Sequence, residues 1–289
     1  MGMEVRVYIS ADMEGITGLV DADDVQADGR DYERGRAMMT QDVNAAVGGA
    51  LAGGATRVLV NDAHSAMRNL LVDQLHPAAA LVRGRPKPMG MLEGLDERHA
   101  ATLCVGYHAR AGQLGVLSHS YFGHEIEDMW LDGRPVGEIG FAHATAAALG
   151  APVAMLSGDD VACAEARAWA ADAEPPVRTA VVKYARDRFA AELLPVAVAH
   201  AAIAEAAEEG VRTVLARAGD GGNRPRAAHT ALAVRWQSAS VAEQLMGIPG
   251  VSRRDDRTVE VTGDVVRLFR LFGVFQRVAA SLTGQRPYC

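Results

Sequence analysis

Acids and imidazoles follow apolar runs at six places in this chain. The stretch "VYISADMEGITG", Val7 to Gly18, ends a β-branched run in Asp12 and Glu14. In extended chain these alternate residues share a face, so two carboxylates are aimed at one spot. They repel each other unless positive charge lies between them. "VNDAHS" supplies Asp62 and His64, "VGYHAR" His108 and Arg110, and "VLSHS" His119. "GRPVGEIG" adds Glu138 at a helix start, and "SGDD" adds Asp159 and Asp160. Carboxylate and imidazole donors from separate elements, gathered at one rim, are the makings of a metal site with nitrogen and oxygen ligands.

Each of these residues has a plainer alternative. Asp12 reads equally as a turn cap, although a cap accounts for only one of the two acids. His64 and His108 read as partly buried histidines when each is taken alone. His76, His99, His143 and His200 stand apart from acids at element ends and read as structural. His124, followed by Glu125, Glu127 and Asp128 in "GHEIEDMW", reads as a solvated loop or lid.

The elements that must position these groups alternate in type. "EVRVYISA", "TRVLVNDA", "HATLCVGYHA" and "PVAMLSGDD" read as buried strands. Between them, "RDYERGRAMMTQDVNAAVGGALAGG" reads as a helix with Met38, Met39, Val43 and Val47 on one side. "GEIGFAHATAAALG" is a helix closed by Gly150. Such alternation predicts an α/β fold with a largely parallel sheet flanked by helices. Ligands of these sheets gather beyond the C-terminal strand ends, where all the residues above are placed.

The second half mixes helices and strands. It holds a helix in "ELLPVAVAHAAIAEAAEEG", with Pro195 near its first turn. "GDGGNRPR", Gly219 to Arg226, is the linker or turn candidate. "TALAVRW" and "TVEVTG" read as strands, and "GDVVRLFRLFGVFQRVAASLTG" as an amphipathic closing helix for a core or subunit interface.

Composition limits the rest. Of 289 residues, 49% are hydrophobic and 22% charged, an ordinary globular balance. The net charge of −7, with dispersed cations, argues against a nucleic-acid partner. No apolar run reaches membrane-spanning length, and the start "MGMEVRVY" shows neither a signal peptide nor a myristoylation pattern. Three scattered cysteines, Cys104, Cys163 and Cys289, do not make a disulfide framework or a thiolate zinc site. The cytoplasm is the expected compartment.

Eight motifs in order carry a family resemblance: "DMEGITG", "YERGRAMMTQDVNAA", "VLVNDAHSAMRNLL", "LHPAAALVRGRPKPMGMLEGLD", "VGYHARAG", "GVLSHS", "RPVGEIG" and "AMLSGDD". Together they resemble the DppA-type D-aminopeptidases, a family of binuclear zinc metallopeptidases, from Val5 to about Lys183. The resemblance implies that Asp12 bridges two Zn²⁺ ions, with Glu14, His64, His108 and Glu138 completing the ligand set. Mn²⁺ or Co²⁺ would suit the same donors. The resemblance also implies an α/β metal-binding catalytic domain, 1–185, followed by a smaller α+β domain, 186–289, that His119 is the catalytic histidine, and that subunits assemble into a ring-like homodecamer that admits short peptides.

On this reading the enzyme removes an N-terminal residue such as D-Ala from short peptides, through a hydroxide held at the metals. His119 would shuttle a proton, steady the oxyanion or, as a third option, attack directly. Asp62 reads as an acceptor for an imidazole N–H or as a strand-end cap. Arg110 reads as a holder of a substrate carboxylate or as a structural ion pair. Asp159 and Asp160 read as receivers of the substrate ammonium or as turn caps. A dinuclear phosphoesterase or other amidohydrolase, and a metal-stabilised binding protein, are the competing readings. The phosphoesterase lacks a glycine-rich phosphate loop, and a binding protein has no need of His119.

Overall fold

The computed structural model describes residues 4–171, 173, 176–218 and 229–283. The linker candidate Gly219 to Arg226 and Cys289 lie outside the described residues. The chain opens with β1 (Arg6–Ala11), a short α1 (Ala22–Val25), α2 (Tyr32–Ala52), β2 (Arg57–Asp62), β3 (Ala79–Val82) and β4 (His99–Val105). It continues through β5 (Ile126–Leu131), β6 (Arg134–Pro135), α3 (Glu138–Ala148), β7 (Val153–Asp159), α4 (Asp160–Trp169), β8 (Arg178–Asp187) and β9 (Ala190–Leu193). Then follow α5 (Val196–Ala218), β10 (His229–Trp236), α6 (Ala239–Leu245), β11 (Ser252–Arg253), β12 (Thr258–Asp264) and α7 (Val265–Thr283).

Two sheets result. The first has order β3-β2-β1-β4-β7-β8-β9 and is parallel except for the final β8–β9 hairpin. The second, antiparallel sheet has order β11-β12-β10-β5-β6. Strand β1 shows why the first sheet is sandwiched. Val7, Ile9 and Ala11 join the core beneath α2 and α5, whereas Tyr8 joins the core shared with α3, α7 and the second sheet. Every other residue thus serves the opposite face, and both faces are covered.

Several features depart from the expectations. The stretch "GHEIEDMW" is not a loop: most of it is β5, paired to β10. Ile126, Met129 and Leu131 turn inward. A register shift at Arg235/Trp236 interrupts the pairing, so the alternation was not legible. The acid Glu127 lies on the sheet surface against Arg235 and Arg257. Strand β3 and the β8–β9 hairpin were also unforeseen. Relative to the expected division after residue 185, β5 and β6 sit in the second sheet, and α5 packs on α2 in the first layer. No helix among the described residues is long and apolar enough to cross a membrane.

The strand order places a topological switch point between β1 and β4. The chain leaves β1 towards β2 on one side, then returns to pair β4 on the other, so the loops diverge and open a crevice. Register brings the strand ends level there: Ala11 pairs with both Asp62 and Val105.

Candidate metal centre

The loop after β1 meets the loop after β4 at very short range. The Asp12 N–H donates to Val105 O and the Gly15 N–H to Gly106 O, both at 2.8 Å. A Cβ on Gly15 would lie 2.0 Å from Tyr107 O, and one on Gly106 would lie 2.4 Å from Asp12 O. Gly106 also sits at φ +72°, a conformation that side chains disfavour. The two glycines let one loop carry Asp12 and Glu14 to the His108 of the other.

All five expected ligands and His119 converge. His64 Nδ1 lies 3.2 Å from Glu14 Oε2 and 3.4 Å from Asp12 Oδ1. His108 Nε2 lies 3.2 Å from Glu138 Oε2 and 3.5 Å from Asp12 Oδ2. The two oxygens of Asp12 therefore face opposite halves of the cluster. His119 stacks on His108 with ring centroids 4.2 Å apart, and its Nε2 lies 3.9 Å from Glu138 Oε1.

Each imidazole is anchored through its other nitrogen. His64 Nε2 faces Val25 O at 2.9 Å, His108 Nδ1 faces Ala109 O at 3.0 Å, and His119 Nδ1 faces Leu117 O at 2.9 Å. A carbonyl accepts only, so this network assigns the proton to the anchored nitrogen and turns a lone pair towards the carboxylates. Each such pair, across about 3 Å, is answered either by a second proton on the imidazole or by a metal ion between the two atoms. The buried Asp12 Oδ2 and His108 Nε2 have no hydrogen-bond partner. Ligand atoms of Asp12, Glu14 and His108, and those of His108, His119 and Glu138, each lie within 4.8 Å of one another, so the donor set fits divalent metal binding.

Electrostatics carries the same imbalance. Burial and the neighbouring Glu14 charge raise the Asp12 carboxyl from 3.8 to about 7. Burial works to raise Glu14 too, but the attraction of His64 holds it well below the ordinary range. Glu138 is likewise lowered, by His108 against its burial. His64 and His108 rise well above the usual imidazole value despite burial, drawn up by Glu14 and Glu138 respectively. His119 goes the other way: burial and its neighbour His108 lower it. An imidazole kept neutral beside the cluster is suited to accept a proton.

The remaining expected residues sit at the flanks. Asp62 reaches no imidazole. Its carboxylate accepts from the N–H groups of Asn69 and Leu70 and from Asn69 Nδ2, which ties down the loop bearing His64. The cap reading therefore holds, because three nearby amides compete for the same two oxygens. Asp159 caps α4 through Ala162 N at 2.7 Å and holds Val116 N at 2.6 Å. Asp160 accepts from Ala185 N. Arg110 bonds Ala111 O and lies 4.0 Å from Asp128.

Sequence reasoning missed Lys183. Fully buried, its ammonium donates to Glu14 O, Ile16 O and Leu19 O at 2.7, 2.9 and 2.6 Å. Burial pulls it down to about 8, yet three acceptors use all three N–H bonds of the charged form. A lone lysine in "VVKYARD" gave the only hint, as a charge inside an apolar run. Asp42 adds a second clamp by accepting from Thr17 N, and the Tyr121 N–H donates to Glu138 Oε1 at 2.5 Å.

Comparison with known proteins identifies relatives. Residues 5–274 match the model of a peptidase family described as D-aminopeptidase. A D-aminopeptidase of Bacillus subtilis strain 168 is 45% identical over 191 residues, covering 66% of this chain and 68% of that protein. The fold is similar to the solved Zn-dependent D-aminopeptidase DppA from Bacillus subtilis, described as a self-compartmentalizing protease. There the TM-score is 0.86 at 34% identity, over 99% of this chain and 100% of the other.

Proposed function

The chain belongs to the D-aminopeptidase family, and on that premise we propose that it is a zinc-dependent aminopeptidase acting on short peptides with an N-terminal D-residue. The observation that carries this reading is Asp12, whose two oxygens face His64 on one side and His108 on the other. Asp12, Glu14, His64, His108 and Glu138 would hold the two zinc ions that we assign to each subunit. Bound zinc supplies Lewis acidity and makes water a nucleophile near pH 7.

The chain's own residues account for the rest. His119, held by Leu117 O and kept neutral, takes the proton released as water attacks and returns it to the departing amine. Glu14 and Glu138 are held charged by His64 and His108, the Tyr121 N–H donates to Glu138, and the Lys183 clamp fixes the backbone of the loop bearing Asp12 and Glu14, so little reorganisation is needed during reaction. Assembly of subunits into a closed ring, of ten copies on the family pattern, would restrict access to short peptides. With buried free cysteines at Cys104 and Cys163, the cytoplasm is the compartment we assign.

Hydrolysis of paired D-Ala and L-Ala p-nitroanilides, before and after chelation and zinc restoration, tests the reading. Zinc-dependent release from the D-substrate alone, in protein carrying two metal equivalents, is the expected result. Zinc-dependent L-cleavage would remove the stereochemical assignment. No release from either substrate by fully metallated protein would overturn the aminopeptidase reading and favour phosphoester substrates.

A further inference from the structure

The β8–β9 hairpin forms one edge of the first sheet, and β9 is the terminal strand among the described residues. Of the nine large apolar side chains left exposed among the described residues, five fall along this edge and the adjoining first turn of α5: Tyr184, Phe189, Leu193, Val196 and Val198. Phe189 at the hairpin turn is 54% exposed, which is costly for an aromatic ring facing water. An uncovered strand edge is ordinarily blunted by bulges, inward charges or a covering element. Strand β9 is short and a register shift between Ala185 and Asp187 disturbs the hairpin, which blunts the edge itself, so it is the flanking apolar side chains that call for a cover.

The charges on this edge are self-complementary. Arg186 and Arg188 stand with Asp187 and Glu192, two of each sign. Arg186 pairs with Glu192, and the Arg188 guanidinium lies 5.5 Å from the Phe189 ring centroid. A patch of zero net charge and apolar centre can meet its own copy across a two-fold axis without repulsion.

The hairpin is also wired to the catalytic rim. Arg188 O accepts from Leu117 N at 2.8 Å, and Leu117 O holds His119 Nδ1 at 2.9 Å. Leu117 itself sits at φ +53°, a strained conformation for a side-chain-bearing residue that its surroundings must maintain. Whatever fixes the hairpin turn therefore fixes the carbonyl that orients His119.

We infer that the β8–β9 edge is the surface on which a second copy of this chain docks, and that this contact holds His119 in its working orientation. The inference rests on the assembly reading above and deepens it by naming a surface and its link to the site. His119 is the catalytic residue; Arg188 and Phe189 are positioning residues acting through Leu117.

The test combines sedimentation of the full-length zinc enzyme with D-Ala p-nitroanilide hydrolysis, for wild type, Phe189→Glu, Leu193→Glu and the distant exposed control Val72→Glu. Expected is an oligomeric wild type and control. Either edge variant should dissociate at concentrations where wild type stays assembled, with full metal content and kcat at least tenfold lower. Phe189→Ser, and dilution of wild type until it dissociates, should reproduce the loss if the glutamate variants fold poorly. A monomeric, fully active wild type would overturn both the assembly reading and this inference. Edge variants that assemble like wild type would overturn the docking surface alone. Dissociated variants with undiminished kcat would overturn the link to His119.

Discussion

At the centre of the rim, between β1 and β4, Asp12 Oδ2 and His108 Nε2 are buried without hydrogen-bond partners. At its flanks, after β2 and β7, both carboxylate oxygens of Asp62 and Asp159 are taken by amides of nearby loops. All four residues announce themselves identically, as polar residues ending or following a buried strand. The difference lies in whether the following loop turns its amides back. Residues 64–70 fold over Asp62, and the first turn of α4 sits on Asp159, whereas the loop after β1 is drawn away by Lys183 and Asp42. A carboxylate so deprived is costly to bury unless a cation answers it.

Removing a central group should have the largest effect. His108→Ala, or Asp12→Asn, is expected to lower kcat/KM by about 10³-fold or more with loss of bound zinc, read by steady-state hydrolysis and elemental analysis. Retention of two zinc equivalents in either variant would erase the distinction between centre and flank.

Lys183→Met tests the device that keeps the centre open. Three carbonyls would lose a buried charged donor, so denaturant unfolding should report about 3 kcal/mol of lost stability. Hydrolysis should fall with it, because Glu14 shifts.

Proton linkage gives a third measure. In chelated protein the Asp12 carboxyl is raised from 3.8 to about 7, by burial first and Glu14 second. A raised folded value means that the native state holds this proton more tightly than the unfolded chain does. Its contribution is full below about pH 4 and is lost as pH rises through 7. Chelated protein should therefore lose stability on the order of a few kcal/mol across that window, and zinc should reverse the loss. Stability that instead rises steadily from pH 4 to 7 would contradict the charge surplus at the centre.

The smallest effects belong to the flanks. Asp62→Asn and Asp159→Asn should each cost about 1–2 kcal/mol in thermal or denaturant unfolding, as lost caps. Both should keep their zinc and most of their kcat. A thousandfold loss in Asp62→Asn would show that the flank takes part in the chemistry after all.

Much of this arrangement is legible in the amino-acid sequence. Apolar runs ending in acids and imidazoles located the rim, since strand length and parallel pairing leave little freedom in where such runs end. Glu138 was legible as the first residue of a helix. The division between centre and flank was not, because Asp62 and Asp12 carry the same local signal and differ only in tertiary amides. Strand β5 was hidden because Glu127 and Asp128 adjoin in "IEDMWL", and their partners lie far off in β10 and near Arg257. The role of Lys183 is a matter of contacts across 169, 167 and 164 positions, which no local pattern records.

That span has a consequence in time. The loop carrying Asp12 and Glu14 leaves the ribosome long before β8 exists, by about 10–30 s at ordinary synthesis rates. Until Lys183 arrives, the carbonyls of Glu14, Ile16 and Leu19 lack their ammonium, and the two acids have no fixed direction. A nascent chain therefore lacks the loop geometry on which the site depends. Competence is withheld until the sheet has been closed almost to its last strand.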